Sequence, residues 1–97
     1  MAKYISLVKY TAKGIEEIKE SPNRLNAFRQ VCDLIGAKLE SFYLTMGRYD
    51  VVLIIDAPDR ETVAKVLLET TSKGAFTTET SPAFTEEEYQ RIVAELP

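Results

Sequence analysis

The sequence has 97 residues, of which 45% are hydrophobic and 28% charged, and its formal net charge is −3. This length is sufficient for one hydrophobic core, so we expect a single domain over residues 1–97. An acidic chain without a basic cluster is not expected to bind nucleic acid, and no apolar run approaches the roughly 18 residues of a membrane span. We therefore predict no nucleic acid and no membrane as partner. The N-terminus lacks a signal-peptide core, which predicts a cytoplasmic location.

The chain contains no histidine and only one cysteine, Cys32. Histidine is the commonest metal ligand and the commonest general base near neutral pH. Its absence excludes Ser-His and Cys-His catalysis within one chain and nearly excludes a zinc site. Cys32 lies among apolar residues of a predicted helix and is interpreted as an inert core thiol. We predict no metal and no cofactor.

The first third of the chain predicts a strand followed by a long helix. Residues 3–10 alternate as a strand, and a connection containing Gly14 follows. Ser21-Pro22 opens a helix, with Ser21 as N-cap and proline at the first helical position, and Gly36 ends it. The apolar residues of this helix recur at helical spacing: Leu25, Phe28, Val31, Cys32 and Ile35.

A β-hairpin is predicted in the middle of the chain, with strands at residues 38–46 and 51–55. A two-residue turn at Gly47-Arg48 suits type II′ geometry, which requires a positive φ at its first position. The resulting register gives one consistently apolar face. It pairs Met46 with Tyr49, Leu44 with Val51, and Phe42 with Leu53.

Two further helices and a strand complete the chain. Asp59 is the predicted N-cap of a helix that runs to about residue 72, and residues 75–80 form a threonine-rich edge strand. Thr85 and Glu88 form a capping box for a last helix, whose apolar stripe is Tyr89, Ile92, Val93 and Leu96. The run Glu86-Glu87-Glu88 is interpreted as helix-start electrostatics. The order β-α-β-β-α-β-α predicts a ferredoxin-like α+β sandwich with a C-terminal helix.

In this fold both faces of the sheet would be apolar. The residues predicted beneath the helices are Ile5, Leu7, Phe42, Leu44, Met46, Tyr49, Val51, Leu53 and Ile55. The opposite face would carry Tyr4, Val8, Tyr10, Leu39, Tyr43, Val52 and Ile54, with Ser6, Ser41, Thr45 and Asp50 among them. Large exposed apolar patches mark interaction sites. The C-terminal helix would cover part of this face and a second copy the rest, which predicts a two-fold homodimer or higher oligomer with Tyr4, Val8, Val52 and Ile54 at the interface.

The tetrad Gly47-Arg48-Tyr49-Asp50, followed by Val51-Val52 and by Pro58-Asp59, resembles the signature of the GYD-domain family. Further matches are Thr11, Gly14, Tyr43, and Ala83-Phe84-Thr85 leading into Glu88. The resemblance covers essentially the whole chain. It implies a small bacterial or archaeal-type protein with the dimeric α/β-barrel variant of the ferredoxin-like fold. The family has no agreed biochemical function, so the resemblance implies fold and assembly rather than chemistry.

A looser resemblance connects the hairpin and the acidic helix start to the effector-binding domains of leucine-responsive and asparagine-type transcription regulators. Those domains bind amino acids at subunit interfaces. No DNA-binding helix-turn-helix precedes the domain in this sequence, so the resemblance implies at most a stand-alone ligand sensor.

Five residues are candidates for binding a ligand: Tyr10, Tyr43, Arg48, Tyr49 and Asp50. Asp50 is interpreted either as an acceptor for backbone N–H groups near the hairpin or as a partly buried carboxylate that lines a pocket. Tyr49 is either a core aromatic or a ligand contact. Arg48 is either a solvated turn residue or a cation that holds a ligand carboxylate.

Three functions remain open at this point. The first is a non-catalytic binding or regulatory module, which holds a small organic or amino-acid-like ligand in the barrel or at the subunit interface. The second is a cofactor-free enzyme that uses Asp50 as the base, with Tyr43 or Tyr10 as hydrogen-bond donor. The third is a structural assembly subunit.

Overall fold

The computed structural model describes all 97 residues and confirms the ferredoxin-like α+β fold. A four-stranded antiparallel sheet has the order β2-β3-β1-β4. Its strands are β1 (Ala2–Tyr10), β2 (Lys38–Leu44), β3 (Val51–Ala57) and β4 (Phe76–Ala83). The helices are α1 (Ala12–Glu16), α2 (Ser21–Ile35), α3 (Arg60–Thr71) and α4 (Glu86–Ala94), and a 3-10 turn at Ile18–Glu20 precedes α2.

Local signals fix most of the helix ends as predicted. Gly36 follows α2 with a φ of 102°, which favours glycine. Asp59 caps α3 by accepting from the Thr62 hydroxyl and backbone N–H, and these hydrogen bonds lower the pKa of the Asp59 carboxyl. The capping box of Thr85 and Glu88 begins α4. The N-cap prediction for Ser21 is wrong, because Ser21 is already the first residue of α2 and Glu20 occupies the cap position.

Thr11 and Gly14 join the end of β1 to the start of β4. The Thr11 N–H donates to Ala75 O over 3.1 Å, and its hydroxyl donates to Gly74 O over 2.6 Å. A Cβ on Gly14 would lie 2.0 Å from Ala75 O, so only glycine permits this approach of α1 to β4. The joint therefore explains two of the positions that carried the family resemblance.

The core lies between the sheet and helices α2 and α3, and it shows that the predicted faces of β1 are reversed. Tyr4 and Val8, predicted at a subunit interface, are 8% and 3% exposed and belong to the core. The register explains this, because residues directly opposite each other share a face. Tyr4 pairs with Ile55 and Val8 with Val51, both of which are buried.

Ile5 and Leu7 consequently lie on the face that no helix covers, opposite Ile54 and Val52. We call this uncovered side of the sheet the open face. Its apolar patch consists of Ile5, Leu7, Tyr43, Val52 and Ile54. The prediction of two apolar faces was therefore right, but the assignment of β1 and of Tyr10, which packs against the core, was wrong.

The hairpin keeps two of its three predicted pairs but not its predicted turn: the pairing of Met46 with Tyr49 is wrong, because β2 ends at Leu44 and Met46 is exposed. Leu44 pairs with Val51 and Phe42 with Leu53, as expected. The strands are joined by residues 45–50 rather than by a two-residue turn, and Gly47 does not adopt a positive φ. A bulge between Leu39 and Ser41 turns Leu39 towards the helices, opposite Ile55, so its predicted place on the other face is wrong.

Cys32 is fully buried in α2, and desolvation by the surrounding core raises the pKa of its thiol to about 11. A thiol with so high a pKa is a poor nucleophile at neutral pH. Its interpretation as an inert core residue agrees with this burial.

Helix α4 extends away from the rest of the molecule. It has no buried residue and makes no extensive packing contact with another element. The molecule measures 52 × 31 × 17 Å, with a radius of gyration of 14.7 Å, whereas a compact chain of this length has a value of about 12.5 Å. The predicted partial cover of the open face by the chain's own α4 is therefore wrong. No helix of the protein is both long enough and apolar enough to cross a membrane.

Candidate functional site

The connection of residues 45–50 is held to the sheet by Asp50. Asp50 Oδ2 accepts from the Tyr10 N–H over 2.9 Å, and the Asp50 N–H donates to Val8 O over 2.8 Å. The carboxylate thus serves as an acceptor for a backbone N–H at the end of β1, in the manner of a main-chain carbonyl. This is the arrangement expected of a structural acceptor, and it leaves Oδ1 without a partner in the chain.

Thr45 closes the same connection from the other side. Its N–H donates to Asp50 O over 2.8 Å, and its hydroxyl donates to Tyr49 O over 2.7 Å. The backbone on both sides of Tyr49 is therefore fixed, and the direction of the Tyr49 side chain is set by hydrogen bonds.

Tyr49 extends over the open face rather than beneath the helices, where it was predicted. Its hydroxyl donates to Glu79 Oε2 over 2.8 Å. Glu79 lies on β4, opposite Leu7, and β1 separates β3 from β4, so the tyrosine reaches across the end of β1. The hydrogen bond to Glu79 raises the pKa of the Tyr49 phenol, with a smaller contribution from desolvation.

Arg48 lies over the ring of Tyr49, with Cζ 5.6 Å from the ring centroid. This is cation–π distance. The guanidinium makes no ion pair within the chain, whose two salt bridges both involve Lys3. The Arg48 guanidinium is therefore a cation without an ion-pair partner at the end of the open face, beside the hydrogen bond between Tyr49 and Glu79.

Lys3 organises the opposite end of the open face. Its Nζ lies 2.8 Å from Asp56 Oδ1 and 2.6 Å from Glu40 Oε2. The hydrogen bonds to Asp56 and Glu40 raise the pKa of Lys3. Such exposed pairs contribute little to stability, but they place a rim of ion-paired charges at this edge of the apolar patch.

Tyr10 does not lie with the other candidates. It packs against the helix side of the sheet, and its hydroxyl is 3.4 Å from Ser21 Oγ. There it lines a mainly apolar cavity of about 50 Å³ between α2 and the sheet, enough for one or two water molecules at most. The structure thus groups Tyr43, Arg48 and Tyr49 around the open face with Asp50 at the rim, and separates Tyr10 from them.

A second cavity of about 260 Å³ lies between α2 and the start of β4, and none of the five candidate residues lines it. No cluster of three or more cysteine and acidic side chains is close enough to hold a metal ion. Sequence reasoning missed Glu79 and Thr45, which orient Tyr49. The alternation of β4 could have placed Glu79 on the open face, but nothing local connects it with a residue thirty positions away.

Comparisons with known proteins agree with this architecture. The family model for the GYD domain matches residues 4–93. A curated relative from Thermus thermophilus, described as "Glutamine synthetase and cystathionine beta-lyase binding protein", is 31% identical over 84 residues, which are 86% of this chain and 88% of the relative.

Solved structures share the fold at low sequence identity. A feast or famine regulatory protein from M. tuberculosis, complexed with L-methionine, matches 88% of this chain with a TM-score of 0.66 at 13% identity. The chain spans about half of that protein, 51%. A dehydrochlorinase from Burkholderia phenoliruptrix matches 90% of this chain and 97% of its own length with a TM-score of 0.62 at 16% identity.

These likenesses to solved structures establish the fold alone. The family is established separately, because its model spans nearly the whole chain and the Thermus relative is similar along most of its length. The chain belongs to the GYD domain family.

Proposed function

We propose that this protein is a non-catalytic, homo-oligomeric binding module, whose subunits meet through the open face. The observation that carries the proposal is the apolar patch of Ile5, Leu7, Tyr43, Val52 and Ile54, which no element of the chain covers. A contiguous apolar surface of this kind is typical of an interaction site. The proposed interface would contain Val52 and Ile54, which the sequence analysis also placed there, together with Ile5 and Leu7 in place of the buried Tyr4 and Val8.

The proposed binding site is the end of the open face that carries Tyr43, Arg48 and Tyr49. Arg48 is free to pair with a carboxylate, and the tyrosine rings supply apolar surface. A second subunit would enclose this end and exclude water from it. The proposed ligand is therefore a small organic or amino-acid-like molecule with a carboxylate group.

The Thermus relative supports a binding role, since its name describes a protein that binds two enzymes. The proposal for this chain follows that description: the assembled module would bind an enzyme, and the small ligand would regulate that contact. The alternative of an enzyme with Asp50 as base is less well supported. One oxygen of Asp50 is occupied by the Tyr10 N–H, and the two proposed donors, Tyr43 and Tyr10, lie on opposite sides of the sheet.

The subunit count tests the interface. Native mass spectrometry and light scattering of the wild-type protein should give a dimer or a larger species, and Val52→Lys should give a folded monomer because it buries a charge in the interface. The matched control is Leu68→Lys on α3, where Leu68 is 70% exposed on the helical surface. This control should assemble normally. A wild-type monomer would overturn the proposal.

Ligand binding is tested by thermal shift with the twenty amino acids as probes. Arg48→Gln should abolish any stabilisation that depends on a carboxylate, whereas Arg60→Gln, at the start of α3, should retain it. A ligand that stabilises Arg48→Gln as strongly as the wild type would contradict the proposed role of Arg48.

A further inference from the structure

We propose that the C-terminal segment from Phe84 onwards is an exchanged arm, in which α4 packs its apolar stripe against a second copy of this chain. The inference rests on the proposed oligomer and adds the position of α4 within it. The arm of one subunit would cover the edge of the other subunit's open face, and the arm of the second would return to the first, as two-fold symmetry requires.

Helix α4 is well specified by its sequence, yet its apolar side chains are exposed. Its capping box is complete, and Tyr89 and Leu96 are 61% and 64% exposed. The spacing of Tyr89, Ile92 and Val93 places them on one side of the helix, and Leu96 follows just after its end. A helix of nine residues is marginal in water without tertiary packing, so this stripe needs a surface to cover it.

The chain's own sheet does not cover the apolar side chains of α4. Only Phe84 and Thr85 connect β4 to α4. The first turn of α4 stays near the sheet edge: besides the dominant hydrogen bonds from Thr85, the charge of Lys3 contributes to lowering the pKa of Glu88. Beyond this turn every residue of α4 is exposed, and the molecule is elongated to 52 Å.

The apolar area of the open face is smaller than a stable dimer needs. Leu7, Val52 and Ile54 are already half-buried by their neighbours in the sheet. Taking about 200 Å² for a fully exposed large side chain, the apolar patch offers on the order of 300 Å² and the apolar residues of the arm about 550 Å². A standard interface buries about 800 Å² on each partner, of which roughly 450 Å² is apolar. The patch alone falls short of this apolar area, and the patch together with the arm exceeds it.

The charges of the arm favour a dimer in which the strands of the second copy run antiparallel to those of the first. The arm carries Glu86, Glu87, Glu88 and Glu95 against a single Arg91, and it leaves the sheet at the Lys3 end. A two-fold axis along the strands would bring the two acidic arms together. An axis across the strands instead places each arm at the partner's other end, where Lys9 and Arg48 form no ion pair within their own chain.

A single tryptophan tests the arm directly, because the natural chain has none. Tyr89→Trp should give a blue-shifted emission and an acrylamide quenching constant several-fold smaller than that of an exposed indole. When Tyr89→Trp is combined with Val52→Lys, the assembly dissociates and the indole should become exposed. Leu68→Trp is the matched control and should be quenched to the same extent in both backgrounds.

Native masses of the wild type and of each variant separate the outcomes. An assembled Tyr89→Trp protein with an exposed indole would overturn the exchanged arm and leave the oligomer intact. An indole that stays protected in the Val52→Lys monomer would also overturn the arm, because α4 would then pack on its own chain. A monomeric wild-type protein would overturn the proposed assembly itself. A second variant that ends at Ala83 should remain folded but dissociate at a concentration at least tenfold higher than the wild type.

Discussion

The two faces of strands β1 and β3 are almost equally apolar, yet only one is covered within the chain. On the helix side Val8, Val51 and Ile55 are buried beneath α2 and α3. On the open face Ile5 is exposed to solvent and Leu7 is half-buried. Two helices can cover one side of a four-stranded sheet, so the second apolar side supports the proposed assembly with a second copy. The comparison also shows that hydropathy alone does not tell which of two apolar faces the helices will cover.

Adjacent isoleucines on β3 give the largest expected contrast between the faces. Ile55→Ala removes a fully buried side chain and should lower the free energy of unfolding by about 2–5 kcal/mol. Ile54→Ala on the open face should have a small effect in dilute protein and a larger one at concentrations where subunits associate. Urea unfolding at two protein concentrations measures both. Equal losses for the two variants in dilute protein would contradict the comparison.

Two substitutions of Asp50, at the rim of the open face, distinguish a structural role of its carboxylate from a functional one. Asp50→Ala leaves the Tyr10 N–H without its acceptor and should cost about 1–3 kcal/mol. Asp50→Asn keeps an oxygen at that position and should cost less. Urea unfolding and native mass spectrometry compare the two variants. If Asp50→Asn folds and assembles normally but loses ligand binding or any turnover, the carboxylate has a functional role beyond this hydrogen bond.

A pair of serines on β1 and β4 gives the next contrast. Ser6 is fully buried on the helix side, and its hydroxyl lies 2.8 Å from Thr80 Oγ1, whereas Ser81 is exposed on the open face. Ser6→Ala leaves Thr80 unpaired and should cost about 1–2 kcal/mol, and Ser81→Ala should change stability by less than about 0.5 kcal/mol. The double variant Ser6→Ala/Thr80→Val should recover part of the loss. Additive losses in this cycle would show that the hydroxyls are not coupled.

Most of the secondary structure could be predicted because its signals are local. The caps at Gly36, Asp59 and Thr85 each act within one turn of a helix, and the register of Leu44 with Val51 follows from alternation along two neighbouring strands. The faces of β1 could not be predicted in this way. Its orientation is set by pairing with β3 and β4, which lie far away in sequence. Hydropathy does not decide between its two faces, because Ile5 on one face and Val8 on the other are both apolar.

The candidate site, too, could be predicted where its signals are local and not where they depend on residues far away in sequence. The sequence pointed to Arg48, Tyr49 and Asp50, and it left both readings of Asp50 open. It could not place Tyr49, because the residues that orient Tyr49 are Thr45, through the loop backbone, and Glu79, across β1. Nor could it show that Tyr10 faces away from Tyr43, since that depends on the orientation of β1.

The smallest expected effect is a pH dependence at the Tyr49–Glu79 bridge. Because the hydrogen bond to Glu79 raises the pKa of Tyr49 in the folded protein, the stabilisation is fully present below the ordinary phenol pKa of about 10. It is lost as the pH rises through the raised value. Ultraviolet titration of phenolate absorbance should therefore show one tyrosine whose pKa falls in Glu79→Gln, and Tyr49→Phe should remove that transition.

Tyr43→Phe is the control for this titration. In this background, Glu79→Gln should lower the pKa of Tyr49 by the same amount as in the wild-type background. The bridge also reports on the open face, because desolvation contributes to the raised pKa of Tyr49. A second copy over this end of the sheet would remove more water from the phenol. The pKa of Tyr49 should therefore rise further with protein concentration in the wild type and stay constant in Val52→Lys. A concentration-independent value in an assembling wild-type protein would place the interface elsewhere on the molecule.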